Sequence, residues 1–312
     1  PMAEKDWIAK YFAPLARAGG AAGLRDDLAQ LADSKSPTVI TVDALVEGVH
    51  FLASDPVASV AQKLVRVNVS DVYAAGALPS EALLTLGWPK ERPESDLAEF
   101  ASALGAELDA FDIHLIGGDT VRSPGGLFLS LTMTGTCLGE TPVRRMGAGP
   151  DEDIWVTGRV GAAYLGFDAI QKGAVESAEV EAYRVPQVQP LAAAHLVAQF
   201  ATAAMDVSDG LLGDAASLAS ASEIGVHIAL ESVPFAGNAT DVDEMIRLST
   251  WGDDYQLLFT SEKTRRDEIL ADAGRSGVVI TLIGETRPEG GLSVTLRSSP
   301  INLPETLGFE HG

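Results

Sequence analysis

The sequence predicts two α+β domains, and three observations carry that expectation. Short β-rich runs are mixed with Ala/Leu-rich stretches of helical period along the whole chain. One segment, Gly139 to Asp153 (GETPVRRMGAGPDED), is rich in Gly, Pro and charge and has no periodic apolar face, which makes it the best boundary. The 312 residues are 46% hydrophobic and 21% charged, a globular composition long enough for two ordinary cores. The expected domains are residues 1–140 and 141–312.

The elements follow from local pattern. Thr38 to Val42 (TVITV), Leu64 to Val69 (LVRVNV), Ala82 to Trp88, His114 to Ile116, Leu127 to Thr136 and Ile154 to Thr157 are β-branched or apolar runs and are expected as strands. Between them, Asp96 to Phe111 carries Leu97, Phe100, Leu104 and Leu108 near one face of a helix. A second series follows. Tyr164 to Gln171, Leu191 to Thr202 and Leu211 to Ser222 are expected as helices, and His227 to Leu230, Tyr255 to Thr260, Val278 to Ile283 and Leu292 to Leu296 as strands.

Charge and cysteine content exclude several classes of function. With 22 Lys and Arg against 44 Asp and Glu, the net charge is −22, and a nucleic-acid partner would need clustered basic residues instead. The single Cys137 cannot form an internal disulfide, so a reducing, cytoplasmic setting is expected. The charged opening Met2-Ala-Glu-Lys-Asp-Trp lacks the order of a signal peptide. The stretch from Val185 to Met205 has no Asp, Glu, Lys or Arg, but Pro186, Pro190, two glutamines and His195 interrupt it. Its later part is expected as a buried helix, and no membrane span is expected.

Aspartates carry the chemistry. Asp43 follows TVITV, Asp71 follows LVRVNVS, Asp119 closes HLIGGD, Asp206 and Asp209 stand in AAMDVSDG, and Asp253 and Asp254 stand in TWGDDYQLLF; Asp26 and Asp27 form an earlier pair. Any one of them is by default a turn former or helix cap, and Ser208 and Asp209 before LLGDAASLAS have the look of such a cap. Six separate positions of this kind are harder to explain so. Converging carboxylates repel by about 4 kcal/mol per close pair at an effective dielectric near 20, unless protons or cations intervene. Oxygen donors without His or Cys favour Mg²⁺, which commonly takes phosphate oxygens as its remaining ligands.

The common nucleotide signatures are missing. No Gly-Lys dipeptide, HRD or DFG tripeptide, or GxGxxG after a strand occurs, which removes P-loop enzymes and protein kinases. Gly117-Gly118-Asp119-Thr120 is a glycine-rich turn able to approach phosphate, and Arg144 and Arg145 can supply positive charge.

Together, Asp26-Asp27-Leu-Ala, TVDALVEGVHF (Thr41 to Phe51), KLVRVNVSDVYAAGALP (Lys63 to Pro79), LIGGDT (Leu115 to Thr120), MDVSDGL (Met205 to Leu211) and GDDYQLLF (Gly252 to Phe259) resemble the thiamine-monophosphate kinase family of the aminoimidazole ribonucleotide synthetase superfamily. The strings run in family order from about residue 23 to Gly308-Phe309. The resemblance implies a β-rich N-terminal domain that binds ATP and Mg²⁺ and pairs in a homodimer, and an α/β C-terminal domain completing the active site. It implies ATP-dependent phosphorylation of thiamine monophosphate to thiamine diphosphate. By position, Asp27, Thr41, Val42 (through its carbonyl), Asp43, Asp71, Asp119, Asp206 and Asp209 would bind several Mg²⁺ ions. Gly118, Asp119, Arg145 and Ser208 would contact ATP, and His50, Asp253 and Phe309 the thiamine phosphate. Asp43, Asp71 and Arg145 would carry the catalysis.

Some positions depart from the family pattern. Arg25 replaces a Gly before the first Asp pair, Asp253 and Gln256 replace two Glu, and Ala101 stands where some members have an aromatic residue. Trp251 and Tyr255, flanking the last pair, suit either core or site. Two other readings remain: another ATP-using enzyme of the superfamily, or an acidic metal-binding protein without activity. A selenophosphate synthetase would need a reactive N-terminal Cys, whereas Cys137 lies in a β-rich run.

Overall fold

In the computed structural model, which describes residues 7–24 and 31–309, the run Leu64 to Val69 expected as a strand lies inside a helix, α1 (Val57–Ala74). Burial explains the reversal. Val57, Val60, Ala61, Leu64, Val65, Asn68 and Val72 recur at three- and four-residue spacing and are all buried. The β-branched residues cost the helix only some tenths of a kcal/mol each, whereas burying each large side chain contributes about 1.5–3 kcal/mol. Asp71 is therefore a helix residue and not a strand-end one.

The chain divides into two compact units, one with residues up to Val72 plus Leu78–Thr136, the other with Tyr73–Ala77 plus the residues from Cys137 onward. The first unit carries a four-stranded sheet of order β1-β4-β2-β3, built from β1 (Thr38–Val46), β2 (Ala77–Pro89), β3 (His114–Ser123) and β4 (Phe128–Cys137). Helix α2 (Glu94–Ala110) crosses between the parallel strands β2 and β3. β1 runs antiparallel to β4, and Thr41 and Asp43 sit opposite Met133 and Leu131. Period-two alternation thus puts Thr41 and Asp43 on the face of buried Leu129, Leu131 and Met133, and turns Ile40 and Val42 to the other face, where they are 70% and 61% exposed. Asp43 and Asp119 lie within their strands instead of at the ends. Cys137 closes β4 as a buried thiol whose pKa is raised by burial, a packing residue.

The second unit is built on a seven-stranded sheet of order β11-β10-β7-β9-β5-β8-β6, antiparallel except for the β7–β10 pair. Its strands are β5 (Glu152–Thr157), β6 (Ala203–Val207), β7 (Gly225–Ala229), β8 (Gln256–Glu262), β9 (Ile280–Arg287), β10 (Gly291–Leu296) and β11 (Ser299–Pro300). Helices α3 (Ala162–Gln171), α4 (Ala178–Arg184), α5 (Ala192–Phe200), α6 (Leu211–Ser222), α7 (Val242–Thr250) and α8 (Arg266–Ser276) join them. One face packs Ile154, Val156, Met205, Val207 and Leu258 with Leu211, Leu212 and Leu218 of α6. Trp155 and Phe259, one place along their strands, stack at 6.3 Å on the opposite face.

Pattern missed β6, α4, α7 and α8. β6 is only five residues, AAMDV, without a β-branched run; α4, α7 and α8 are short and charged, and α7 depends on Asp241, whose side chain accepts the N–H groups of Asp243 and Glu244. The later part of the uncharged stretch is α5, nine residues long, and no described helix is long and apolar enough to cross a membrane.

Candidate active site

In the first unit, strand alternation aims Thr41 and Asp43 at the C-terminal half of α1, and the Thr41 hydroxyl donates to Asp71 Oδ2. Burial, followed by the charge and hydrogen bonding of Asp71, raises the Asp43 pKa far above the carboxylate range. Two carboxylates held together in this way share a proton or hold a cation. Among the described residues no three His, Cys, Asp or Glu side chains converge as a complete cage. Asp26 and Asp27, like Arg25, lie outside the described residues. Val42 presents its side chain to the other face, so only its backbone is available on the side of Asp43.

Asp119 is exposed on β3, three strand spacings from β1 and therefore about 14 Å away along the sheet. Through its pairing with Thr85 it shares the face of Leu83 and Val121, and it makes no part of the Asp43–Asp71 pair. Gly118 beside it cannot carry a side chain, because a Cβ would fall 1.9 Å from the Leu84 carbonyl oxygen. This close approach sits next to the irregularity in the β2–β3 register at Ala82 and Leu83.

His50 ends the turn after β1. Its Nδ1 accepts the Val46 N–H at 3.1 Å, and its carbonyl accepts from Lys63 Nζ at 2.9 Å. Lys63 is 1% exposed, a buried cation that ties α1 to the His50 turn. Ala101 is buried within α2.

In the second unit, one loop gathers most of the expected residues. Ser208, Asp209 and Gly210 follow β6, on which Asp206 faces away from the core residues Met205 and Val207. Asp253 N–H donates to Ser208 O at 2.7 Å, Tyr255 N–H to Val207 O at 2.8 Å, and Phe309 N–H to Asp209 O at 2.8 Å. Gly252 and Gly308 press on the same loop: a Cβ at either would lie 2.3 Å from Ser208 O and 2.9 Å from Asp209 O respectively. Asp253, Phe309 and the Ser208–Asp209 turn are thus neighbours held by backbone.

The cap expected of Ser208 and Asp209 is absent. Instead Asp214, in the first turn of α6, reaches back and accepts the N–H groups of Asp209 and Gly210 on Oδ2 at 3.2 and 3.1 Å. Burial, then the Asp209 charge, pushes Asp214 up to about 7, while these bonds and Arg145 pull it down. Arg145, whose carbonyl accepts from Ser222 Oγ at the other end of α6, is exposed and contributes positive potential here. Sequence reasoning missed Asp214, although its place four residues beyond Gly210 at a helix start was a signal.

Asp254 differs from Asp253. It is 5% exposed and its carboxylate accepts the N–H groups of Gly161 and Ala163 at 2.6 and 3.2 Å. Burial raises its pKa to about 7 against these bonds. Trp251 is half-buried and packs on Tyr164 and Phe167 with ring centroids 5.3 and 4.9 Å away, whereas Tyr255 is buried in the core. Gln256 accepts from Thr157 Oγ1 and Gln189 Nε2 and donates to the carbonyls of Gln187 and Asp254. A cavity of about 350 Å³ beside these residues is lined by Arg159, Gln187, Gln189, Asp254 and Gln256 among others.

The donor sets suit a hard divalent cation. Asp43, Asp71 and Thr41 offer oxygen alone, and the Asp43–Asp71 repulsion is what a cation would relieve.

Comparison with known proteins identifies the architecture. A profile described as AIR synthase related protein, N-terminal domain, matches residues 25–137, and its C-terminal counterpart matches residues 149–297. Thiamine-monophosphate kinase of Caulobacter vibrioides is 36% identical over 326 residues, covering 100% of this chain and 92% of that protein. The Salmonella typhimurium enzyme of the same name is 32% identical, with 97% and 96% covered. Among solved structures, thiamine-monophosphate kinase from Stenotrophomonas maltophilia K279a matches with a TM-score of 0.78 at 32% identity, over 89% of this chain and 90% of that one. AaThiL complexed with AMPPCP and TMP matches with a TM-score of 0.78 at 26% identity, over 99% and 94%. The hydrogenase maturation protein HypE, at 17% identity and a TM-score of 0.79, shares the fold alone. On this identity and coverage, the chain belongs to the thiamine-monophosphate kinase family.

Proposed function

We propose that this protein transfers the γ-phosphoryl group of ATP to thiamine monophosphate, releasing thiamine diphosphate and ADP. The observation that carries the reading is the Ser208–Asp209 loop, to which backbone bonds fasten Asp253 and Phe309. The full-length relatives and the AMPPCP and TMP complex of AaThiL support the identity of the two substrates.

Little covalent chemistry falls to the protein. A phosphate monoester has a second pKa near 6, so the attacking oxygen is deprotonated at neutral pH and needs no general base. The work is alignment and charge neutralisation. Asp43 and Asp71 with Thr41, the Val42 carbonyl and Asp27, together with Asp119, Asp206 and Asp209, are the proposed holders of Mg²⁺, which neutralises crowded phosphate oxygens when bound. Arg145 binds a phosphate oxygen, and Ser208 and the Gly118–Asp119 backbone steady the ATP tail. Asp253, Phe309 and His50 orient the thiamine phosphate, Phe309 through its exposed ring. The unit with the four-stranded sheet takes the ATP and Mg²⁺ role, and the second unit supplies Arg145, Ser208, Asp253 and Phe309.

A homodimer is part of the reading. Ile40, Val42, Phe128, Leu83 and Val121 form an exposed apolar face across all four strands of the first sheet, which a second copy would cover. We place the enzyme in the cytoplasm, in keeping with its one unpaired Cys137.

The test is an ADP-coupled assay with ATP and Mg²⁺ across thiamine monophosphate, free thiamine and formylglycinamidine ribonucleotide. Turnover with thiamine monophosphate alone is expected; turnover only with the ribonucleotide would assign the chain to the other superfamily activity.

A further inference from the structure

The segment that carries Asp253 has an unusual backbone. Gly252, Asp253 and Tyr255 all have positive φ, at 88°, 66° and 50°, a region that Asp and Tyr rarely adopt. Such a conformation persists only where its surroundings over-determine it. Two backbone bonds, from Asp253 to Ser208 and from Tyr255 to Val207, fasten one side of the segment. The other side is fastened by α3.

Helix α3 grips the segment at both ends. Tyr164 and Phe167 from its body hold Trp251, and its N-terminal Gly161 and Ala163 N–H groups hold the Asp254 carboxylate. Gly161 has no side chain to cap the helix, so Asp254 acts as the cap from 93 residues away in sequence. Gln256 adds a brace by donating to the Asp254 carbonyl at 3.2 Å.

We propose that Asp254 is a positioning residue for substrate recognition: clasped to the start of α3, it holds Gly252, Asp253 and Tyr255 in the left-handed conformations that present Asp253 beside Ser208 and Asp209. The proposal rests on Asp253 facing the thiamine phosphate. Asp254 itself touches no reacting atom. Its loss misdirects one substrate arm while the Ser208–Asp209 arm, fixed separately by Asp214, stays in place.

The experiment is steady-state kinetics of Asp254→Asn, which keeps the shape but replaces one acceptor oxygen with an amide that faces an N–H donor. KM for thiamine monophosphate is expected to rise tenfold or more, KM for ATP to stay within twofold, and the rise in Tm caused by Mg-ATP to match that of the wild type. Gln256→Ala, which removes the brace on Asp254 together with the bonds to Thr157, Gln187 and Gln189, should raise KM for thiamine monophosphate about threefold. Equal changes in both KM values, or a fall in kcat alone in proportion to the folded fraction, would overturn the proposal. Should Asp254→Asn fail to fold, an unchanged KM for thiamine monophosphate in Gln256→Ala would overturn it as well. Wild-type protein without turnover of thiamine monophosphate would instead refute the proposed activity.

Discussion

Gly252→Ala tests how tightly the substrate segment and the Ser208–Asp209 loop are coupled. A Cβ at position 252 would lie 2.3 Å from Ser208 O and 2.7 Å from the Asp209 carbonyl carbon, both backbone atoms. Real Cβ contacts need at least 3.0 Å, so one of the two segments must yield by about 0.7 Å. The positive φ of 88° adds about 1 kcal/mol for Ala, and the overpacking about 1–3 kcal/mol. The variant should therefore lose about 2–4 kcal/mol, read as a Tm lower by roughly 5–15 °C. A shift of nearly 1 Å between Asp253 and Ser208 should also lower kcat/KM about 100-fold in the ADP-coupled assay. Gly274→Ala is the matched control. Gly274 is exposed on α8 with nothing within 4 Å of a new Cβ, and the change should stabilise by about 0.5–1 kcal/mol without altering kcat/KM. Gly252→Ala with wild-type Tm and kcat/KM would refute the coupling.

Asp71→Asn removes a charge from the Asp43 pair, so Tm should hold or rise while turnover falls at least 100-fold; wild-type rates would remove Asp71 from the site. Ile40→Asp places a charge in the open apolar face of the first sheet and should weaken the proposed homodimer at least 100-fold, about 3 kcal/mol, with light scattering as the measure. A variant that stays dimeric would place the interface on another surface, and a monomeric wild type would refute the proposed dimer. His227, which shares a hydrogen bond with Thr295 Oγ1, has its pKa lowered by burial and then by Arg287. A depressed His favours the fold as the neutral ring above its unfolded pKa of about 6.5 and loses that contribution as pH falls. Between pH 7 and pH 5, the wild type should lose more in Tm than His227→Gln; parallel melting curves would contradict it.

Much of the site was legible because its elements are local. TVITV and the alternation beyond it announce β1, and the same alternation puts Thr41 and Asp43 on one face and Val42 on the other. Gly118 and Gly252 stand where a Cβ would meet backbone, so short motifs already marked both close approaches, although Gly117 to Thr120, expected as a turn, lies within β3. The Asp253 and Ser208 motifs likewise announced residues that the fold sets side by side.

Other features were not local. LVRVNV has β-branched content that suits a strand, and only the burial of one helical stripe of α1 decides for helix, since burial outweighs propensity by about a kcal/mol or more per side chain. Asp253 and Asp254 look alike as adjacent acids. Yet Asp254 is consumed by the N–H groups of α3, because which of two neighbours turns inward depends on a helix end 93 residues away. Asp214 likewise takes the loop bonds that Ser208 and Asp209 were expected to make as caps. By itself, then, the sequence determined the residue chemistry, the strand alternation and the order of the motifs, all set within a few residues of backbone. Only tertiary structure decided which acids remain for ligands and which are spent on backbone N–H groups, because an unpaired buried donor costs about 1–3 kcal/mol and the nearest carboxylate in space supplies its acceptor.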